Sequence, residues 1–138
     1  MKYISCNKKP INVYGLYCFD KTGKFYRLPE KLMNQIDSLS FLGKRGTGGR
    51  IRFRTNSENI TVKTELETLS LDICISVMGA SGHNVYIGDQ KNAKYIGFAS
   101  PSDYEEGSKK FENFFKKSNN LEDVTSKKHM MMLSQRVI

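Results

Sequence analysis

The alternation that begins at Arg50 limits what this chain can fold into more than any other stretch. Gly46-Thr47-Gly48-Gly49 reads as a glycine turn releasing Arg50-Ile51-Arg52-Phe53-Arg54-Thr55, where basic and apolar side chains alternate until Asn56-Ser57 stops the run. Side chains of an extended chain point alternately to opposite sides. Ile51, Phe53 and Thr55 therefore share a face that wants a core. Arg50, Arg52 and Arg54 share the other, which must meet water, carboxylates or a ligand.

Other runs repeat the pattern. Ile11 to Phe19 reads as a strand with apolar groups on both faces, Asp20-Lys21-Thr22-Gly23 as a turn, and Lys24 to Leu28 as the returning strand of a hairpin. Pro29 with Glu30 behind it, then Leu32, Met33 and Ile36 at helical spacing, predicts a helical turn over 29–36. Residues 36–42 drift back to strand-like spacing. Ile60, Val62, Thr64 and Leu66 alternate after Asn56-Ser57-Glu58-Asn59, which predicts a hairpin between this run and Arg50–Thr55.

Leu71, Ile73, Ile75 and Val77 suggest another half-buried strand, broken by Gly79-Ala80-Ser81-Gly82. Residues 85–87 and 95–98 flank the turn Gly88-Asp89-Gln90-Lys91-Asn92 as a third hairpin. Lys109 to Phe115 fits a helix through Phe111, Phe114 and Phe115 or a strand through Phe111, Asn113 and Phe115, and the strands elsewhere tilt it to strand. Short alternating runs with turn residues between them predict an all-β sandwich or barrel. The domain is expected over residues 1–125, with a tail over 126–138 that is irregular beyond a strand-like start.

At 138 residues the chain is long enough for one hydrophobic core without staples. Its apolar fraction of 38% and mean hydropathy of −0.50 suit a folded globular domain, and no run approaches the ~18–20 apolar residues of a membrane span. Met1 to Pro10 lacks the apolar centre of a secretory signal, so a cytoplasmic location is expected. Cys6, Cys18 and Cys74 form no Cys-x-x-Cys or Cys/His cluster, which points to packed thiols and to no metal or other cofactor. The formal charge of +8 is locally concentrated: between Lys44 and Lys63 six basic residues meet Glu58 alone. Nucleic acid is therefore an alternative partner, with Tyr14, Tyr26, Tyr86 and Tyr95 available for stacking, though no ribonucleoprotein-type signature is present.

Three blocks carry a family resemblance. Tyr26-Arg27-Leu28-Pro29, then Gly48-Gly49-Arg50-Ile51-Arg52-Phe53-Arg54-Thr55-Asn56-Ser57, then Gly82-His83-Asn84-Val85-Tyr86 resemble the amino-terminal domain of SGNH-hydrolase-type esterases, the domain named for a Gly-x-Asp-Leu-Tyr motif. The resemblance implies a jelly-roll-like β-sandwich packed against an α/β esterase domain that removes acyl groups, with carbohydrate as the implied substrate class. It marks Arg27, Leu28, Pro29, Gly49, Arg52, Phe53, Ser57, Gly82, Asn84 and Tyr86 as the motif positions. Asn84 stands where the family has Asp, and Val85 where it has Leu. The family chain would run on into its catalytic domain, whereas this sequence ends at Ile138.

The residues suggest binding rather than catalysis. A Gly-Asp-Ser nucleophile block is missing, since Gly88-Asp89 is followed by Gln90, and only His83 and His129 offer an imidazole base. Gly43 to Gly49 departs from phosphate-loop spacing and precedes a strand, so the helix dipole such loops exploit is lacking. Arg50, Arg54 and Tyr86 are the candidate ligand-binding residues. For the arginines a solvated or salt-bridged strand face is favoured, with Arg52 expected in a buried or interdomain pair. Tyr86 is expected chiefly to anchor its loop through the hydroxyl, with sugar stacking beside Asn84 and Asp89 as the alternative.

Overall fold

The computed structural model describes residues 3–67, 69, 74–89, 91–103, 105, 109–118, 120 and 122–128. Among them the order is β1 (Asn12–Tyr14), α1 (Phe19–Thr22), α2 (Glu30–Met33), α3 (Asp37–Gly43), β2 (Arg50–Thr55), β3 (Asn59–Glu65), α4 (Val77–Ser81), β4 (His83–Ile87), β5 (Lys94–Ala99), β6 (Lys110–Lys116) and β7 (Glu122–Lys128). The strands form an all-β sandwich of two antiparallel sheets, one ordered β1-β2-β7-β4-β5 and the other β3-β6. No helix among the described residues is long and apolar enough to cross a membrane.

The alternation at Arg50 does what it predicts. Ile51 is buried, Phe53 is half-buried, and Arg50 and Arg54 are exposed. On β3, Ile60, Val62 and Thr64 are buried while Lys63 is exposed. The hairpin expected between these runs does not form. Both edges of β2 are taken, by β1 and β7, and β3 pairs with β6 in the other layer. Period-two alternation identifies a strand and its inner face but carries no information about its neighbour. The 56–58 link is a corner closed by its own side chains: Ser57 Oγ donates to the Asn59 carbonyl at 2.8 Å, and Thr55 Oγ1 accepts from the Ser57 amide at 3.1 Å.

Inward-facing residues of both sheets meet in one cluster of Ile60, Val62, Val85, Ala99, Phe115 and Val124. A second cluster joins Cys6, Phe19, Phe25, Ile51 and Leu66. Phe53 and Phe111 pack against both. Fully burying each large apolar side chain contributes roughly 1.5–3 kcal/mol.

Expectations for the first third need correction. The strand expected over 11–19 spans only Asn12–Tyr14, because Gly15 turns the chain at φ +75. The Asp20–Gly23 turn belongs to α1, which starts at Cys18 in the left-handed region and ends at Gly23, also left-handed, whose amide donates to the Phe19 carbonyl. Lys24–Leu28 makes no strand; a single bond from the Tyr17 amide to the Tyr26 carbonyl stands in for the expected hairpin. The helical turn after Pro29 is present as α2, with Pro29 as its N-cap. Strand-like spacing over 36–42 gives way to α3, whose Ile36, Phe41 and Leu42 are exposed, so burial does not set their spacing.

Of the strand expected over 71–78, residues 71–73 lie outside the described residues. The rest forms α4, capped by Ser76 Oγ, which accepts from the Gly79 amide at 3.2 Å. The β4–β5 hairpin and β6 are present as expected. Ser126 to Lys128 continue β7, and residues 129–138 lie outside the described residues.

Candidate functional site

Register through the larger sheet lines up residues that are far apart in sequence. Asn12, Arg52, Thr125, Tyr86 and Tyr95 are successive Cα partners across β1, β2, β7, β4 and β5. Tyr14, Arg50, Lys127, Asn84 and Phe98 form the next row. Directly opposed residues in an antiparallel sheet share a face. The expected motif residues Arg52, Asn84 and Tyr86 therefore meet on one outer face with the candidate ligand residues Arg50 and Arg54. A bulge between Val85 and Tyr86 shifts the register so that Tyr95 and Phe98, 49% and 47% exposed, both belong to this face.

Asp123 on β7 organises the arginines. Its Oδ1 accepts from Arg54 Nε at 2.9 Å, and its Oδ2 accepts from the NH2 groups of Arg52 at 3.4 Å and Arg54 at 3.5 Å. The Arg54 hydrogen bond holds the Asp123 carboxyl below the usual carboxylate range, against the opposing effect of burial and with help from the charges of Arg54 and Arg52; the same hydrogen bond raises Arg54. The Arg52 side chain is only 19% exposed, so its charge is tied down within this domain. Arg50 is exposed and forms no ion pair among the described residues.

Tyr86 is half-buried. Its hydroxyl accepts from Asn84 Nδ2 at 3.4 Å, and its ring meets Tyr95 edge to face at 5.6 Å between centroids. The sheet thus holds Tyr86 as an anchor, with Tyr95 as the more exposed ring of the pair. Asn84 bonds within its own strand, and Asp123, not the Asp-position residue of the motif, supplies the carboxylate for the arginines.

A second surface gathers around Arg27, Leu28 and Pro29. The Arg27 and Leu28 amides donate to the Gly43 carbonyl at 2.7 and 3.4 Å, fastening the approach to α2 onto the end of α3. A Cβ at Gly43 would sit 2.5 Å from Met33 Sδ and 3.1 Å from Leu28 Cβ, so a side chain there would have to displace Met33. Buried Met33 faces inward, leaving Leu32, Ile36, Phe41 and Leu42 42–54% exposed on the helix pair. The Arg45 guanidinium lies 4.2 Å from the Phe41 ring centroid, and its buried Nε has no acceptor among the described residues.

The remaining expected positions are structural. Gly49 is buried, and a Cβ there would approach the Gly46 carbonyl to 2.9 Å and Leu16 to 3.0 Å. Ser57 closes the β2–β3 corner, and Gly82 caps α4 through its amide on the Met78 carbonyl at 2.8 Å. Phe53 packs between the two core clusters. His83 opens β4 facing inward, with Nε2 3.4 Å from Thr64 Oγ1 and its ring beside Phe111. Thr64 and His83 are both fully buried, so this pair is enclosed in the core, away from any solvent-borne ester. His129 lies outside the described residues. Cys6 is buried, Cys18 half-buried and Cys74 exposed, which corrects the expectation of packed thiols for Cys74.

Sequence reasoning passed over Asp123 and Phe98 as site residues and offered Tyr95 only as a stacking ring for nucleic acid. Asp123 sits among mixed charges near the end of the chain and becomes significant only once β7 is placed beside β2. The signal for Tyr95 was its alternation, which the β4–β5 bulge interrupts.

The family model for the GxDLY domain, described as the amino terminus of SGNH-hydrolase-type esterases, matches residues 1–132. No curated protein matches the chain. Among solved structures, a protein described as a GDSL-like lipase from Bacteroides ovatus ATCC 8483 superposes with a TM-score of 0.73 at 14% identity, over 94% of this chain and 38% of that one. At that identity the likeness shows the fold alone.

Proposed function

The chain belongs to the GxDLY family, the domain at the amino terminus of SGNH-type esterases, and we propose that it is a non-catalytic accessory domain that packs against an SGNH-type catalytic domain. The observation carrying this reading is the α2–α3 region, where Leu32, Ile36, Phe41 and Leu42 are each exposed, Arg45 lies on Phe41, and Arg27, Leu28 and Pro29 fasten the segment to Gly43 and α2. Exposed apolar patches with aromatic and Arg members mark interfaces. β7 ends beside the start of β2, since Lys127 pairs with Arg50, and residues 44–49 join α3 to that same start. A chain continuing past β7 therefore begins within about 25 Å of the patch, the reach of seven extended residues.

The test is to produce the chain with the SGNH-type catalytic domain of its own genome, in one polypeptide or as two. Co-purification is expected for the natural sequence and its loss for Leu32→Glu with Phe41→Glu, while the isolated chain hydrolyses no activated acetyl ester above background. Ester hydrolysis by the isolated chain would overturn the non-catalytic reading.

A second reading is glycan contact on the outer face of the jelly-roll-like sandwich. It is favoured by Tyr95 and Phe98 standing exposed on β5, in the same rows as Tyr86 and Asn84 on β4, rings for stacking next to an amide that hydrogen-bonds hydroxyls, with Arg50 further along the same face on β2. Retention on a polysaccharide gel lost in Tyr95→Ala supports it. Salt-dependent retention on DNA, lost in Arg50→Glu, would instead favour nucleic acid.

A further inference from the structure

A half-open cleft of about 490 Å³ lies beside β2 and β3, larger than the voids that interior packing ordinarily leaves. It arises where β2 and β3 part at the 56–58 corner into separate layers. Beyond β2 the sheet has only the three residues of β1, and the amino-terminal segment with Ile4 and Ile11 takes over as cover. The walls are Ile4, Ile11, Ile51, Phe53, Ile60 and Val62.

Of the polar side chains around these walls, Tyr3, Thr55, Ser57 and Arg54 are already engaged, Arg54 by Asp123, and Asn59, Thr61 and Ser126 complete the lining. Tyr3 OH donates to Glu112 Oε1 at 2.7 Å, Ser57 Oγ donates to the Asn59 carbonyl, and Thr55 Oγ1 accepts from the Ser57 amide. A sugar or nucleotide would bury hydroxyls or phosphates here without partners, at a cost of about 1–3 kcal/mol each. A hydrocarbon meets no such penalty. An apolar cavity of about 150 Å³ holds one benzene ring, and this one is about three times larger.

From these walls we infer that the cleft binds an aliphatic acyl chain of roughly eight to twelve carbons, its carboxylate or ester end left in water. The one charged side chain among the described lining residues, Arg54, is already held by Asp123, and Lys63 and Glu112 reach the cleft only through their contacts with Tyr3. The chain rather than the head group is therefore recognised. None of the six wall residues belongs to the helical patch or to the outer sheet face, so the inference stands apart from the docking reading.

The experiment is a methyl NMR titration of the full chain with decanoate, with methyl decanoate and with phosphatidylglycerol vesicles, alongside thermal unfolding. Decanoate and its methyl ester are expected to give saturable shifts at the Ile51 and Ile60 methyls and to raise the melting temperature, since ligand binding to the folded state stabilises it. Ile11→Phe and Ile4→Phe, at half-buried positions on the cover, fill the cleft and are expected to weaken binding at least tenfold without lowering the melting temperature. Binding that survives both fillings overturns the proposal. So does response to vesicles alone, or a natural chain that takes no decanoate while the fillings raise its melting temperature, which would identify a packing void.

Discussion

Arg54 and Asp123 stand directly opposite each other on β2 and β7, with Nε 2.9 Å from Oδ1, and Arg52 shares the same carboxylate from the neighbouring row. Because two guanidinium groups converge on one carboxylate, removing the carboxylate leaves both cations facing each other. Asp123→Asn is expected to cost about 1–2 kcal/mol at pH 7, the range for a part-buried charge-assisted bond discounted for the exposure of Arg54. The pH sign follows from the depressed carboxyl. The unfolded chain takes up the proton first, near pH 4, so stability from this pair is full above about pH 5 and is lost as pH falls through the lower folded value. Urea unfolding at pH 7 and pH 2.5 checks this: the gap between natural and Asp123→Asn proteins should close at the acid end.

Gly82 and Gly23 separate two costs of adding a Cβ. At Gly82 it would overlap the Met78 carbonyl oxygen and lie 3.1 Å from that of Ala99, both backbone atoms, so α4 or β5 must move. At Gly23 the surroundings are open and only the left-handed φ of +65 opposes alanine. Gly23→Ala is expected to cost about 1 kcal/mol, and Gly82→Ala more than about 3 kcal/mol or failure to fold. Thermal unfolding of the two variants side by side decides it; equal, small losses would mean the α4–β4 junction relaxes freely.

Lys117 fastens the link between β6 and β7. Its side chain is fully buried, its Nζ donates to the carbonyls of Ser118 and Asn120 at 2.6 Å each, and Glu122 lies 3.5 Å away. Its own amide reaches the Glu58 carbonyl at 2.8 Å, tying this link to the β2–β3 corner. Methionine matches the stem but supplies no donor, so Lys117→Met strands two carbonyls and is expected to cost about 2–3 kcal/mol. Amide exchange measured at Lys117 should quicken in the variant, whereas unchanged exchange would show that water replaces the ammonium.

What the sequence makes legible is facing rather than neighbourhood. Alternation put Ile51 in the core and the arginines outside, and the long middle block with Tyr86 was enough to identify the family. The β2–β3 corner was hidden because the turn residues that close a hairpin also serve a corner, and only the occupied edges of β2 distinguish them. Of the helices, α2 was legible from Pro29 and the spacing behind it, whereas α3 was hidden for a different reason: Phe41 and Leu42 on it and Ile36 at its N-cap are exposed, so the amphipathic period that announces a helix is absent there. Asp123 could not be paired with Arg54 before β7 was known to lie between β2 and β4.

That exposed α3 surface gives the last prediction. Leu32 and Phe41 are 43% exposed each, and Phe41 carries the Arg45 guanidinium on its ring. Replacing both with glutamate removes the covered part of each side chain but leaves the two core clusters intact, so the isolated domain is expected to stay folded and lose about 1–2 kcal/mol. The carboxylate introduced by Phe41→Glu can still pair with Arg45 in water. An interface, by contrast, concentrates its energy in such aromatic and apolar anchors, where truncation costs about 2 kcal/mol or more apiece. Two introduced carboxylates in a desolvated contact should add to that cost. The double variant is therefore expected to stay folded with a modest loss in unfolding temperature, while its affinity for an SGNH-type catalytic domain falls by at least about tenfold, since 1.4 kcal/mol already corresponds to that factor. Calorimetry of the isolated chain and a binding titration against the catalytic domain measure the two halves separately. A large drop in stability with docking intact would place Leu32 and Phe41 in the domain's own core.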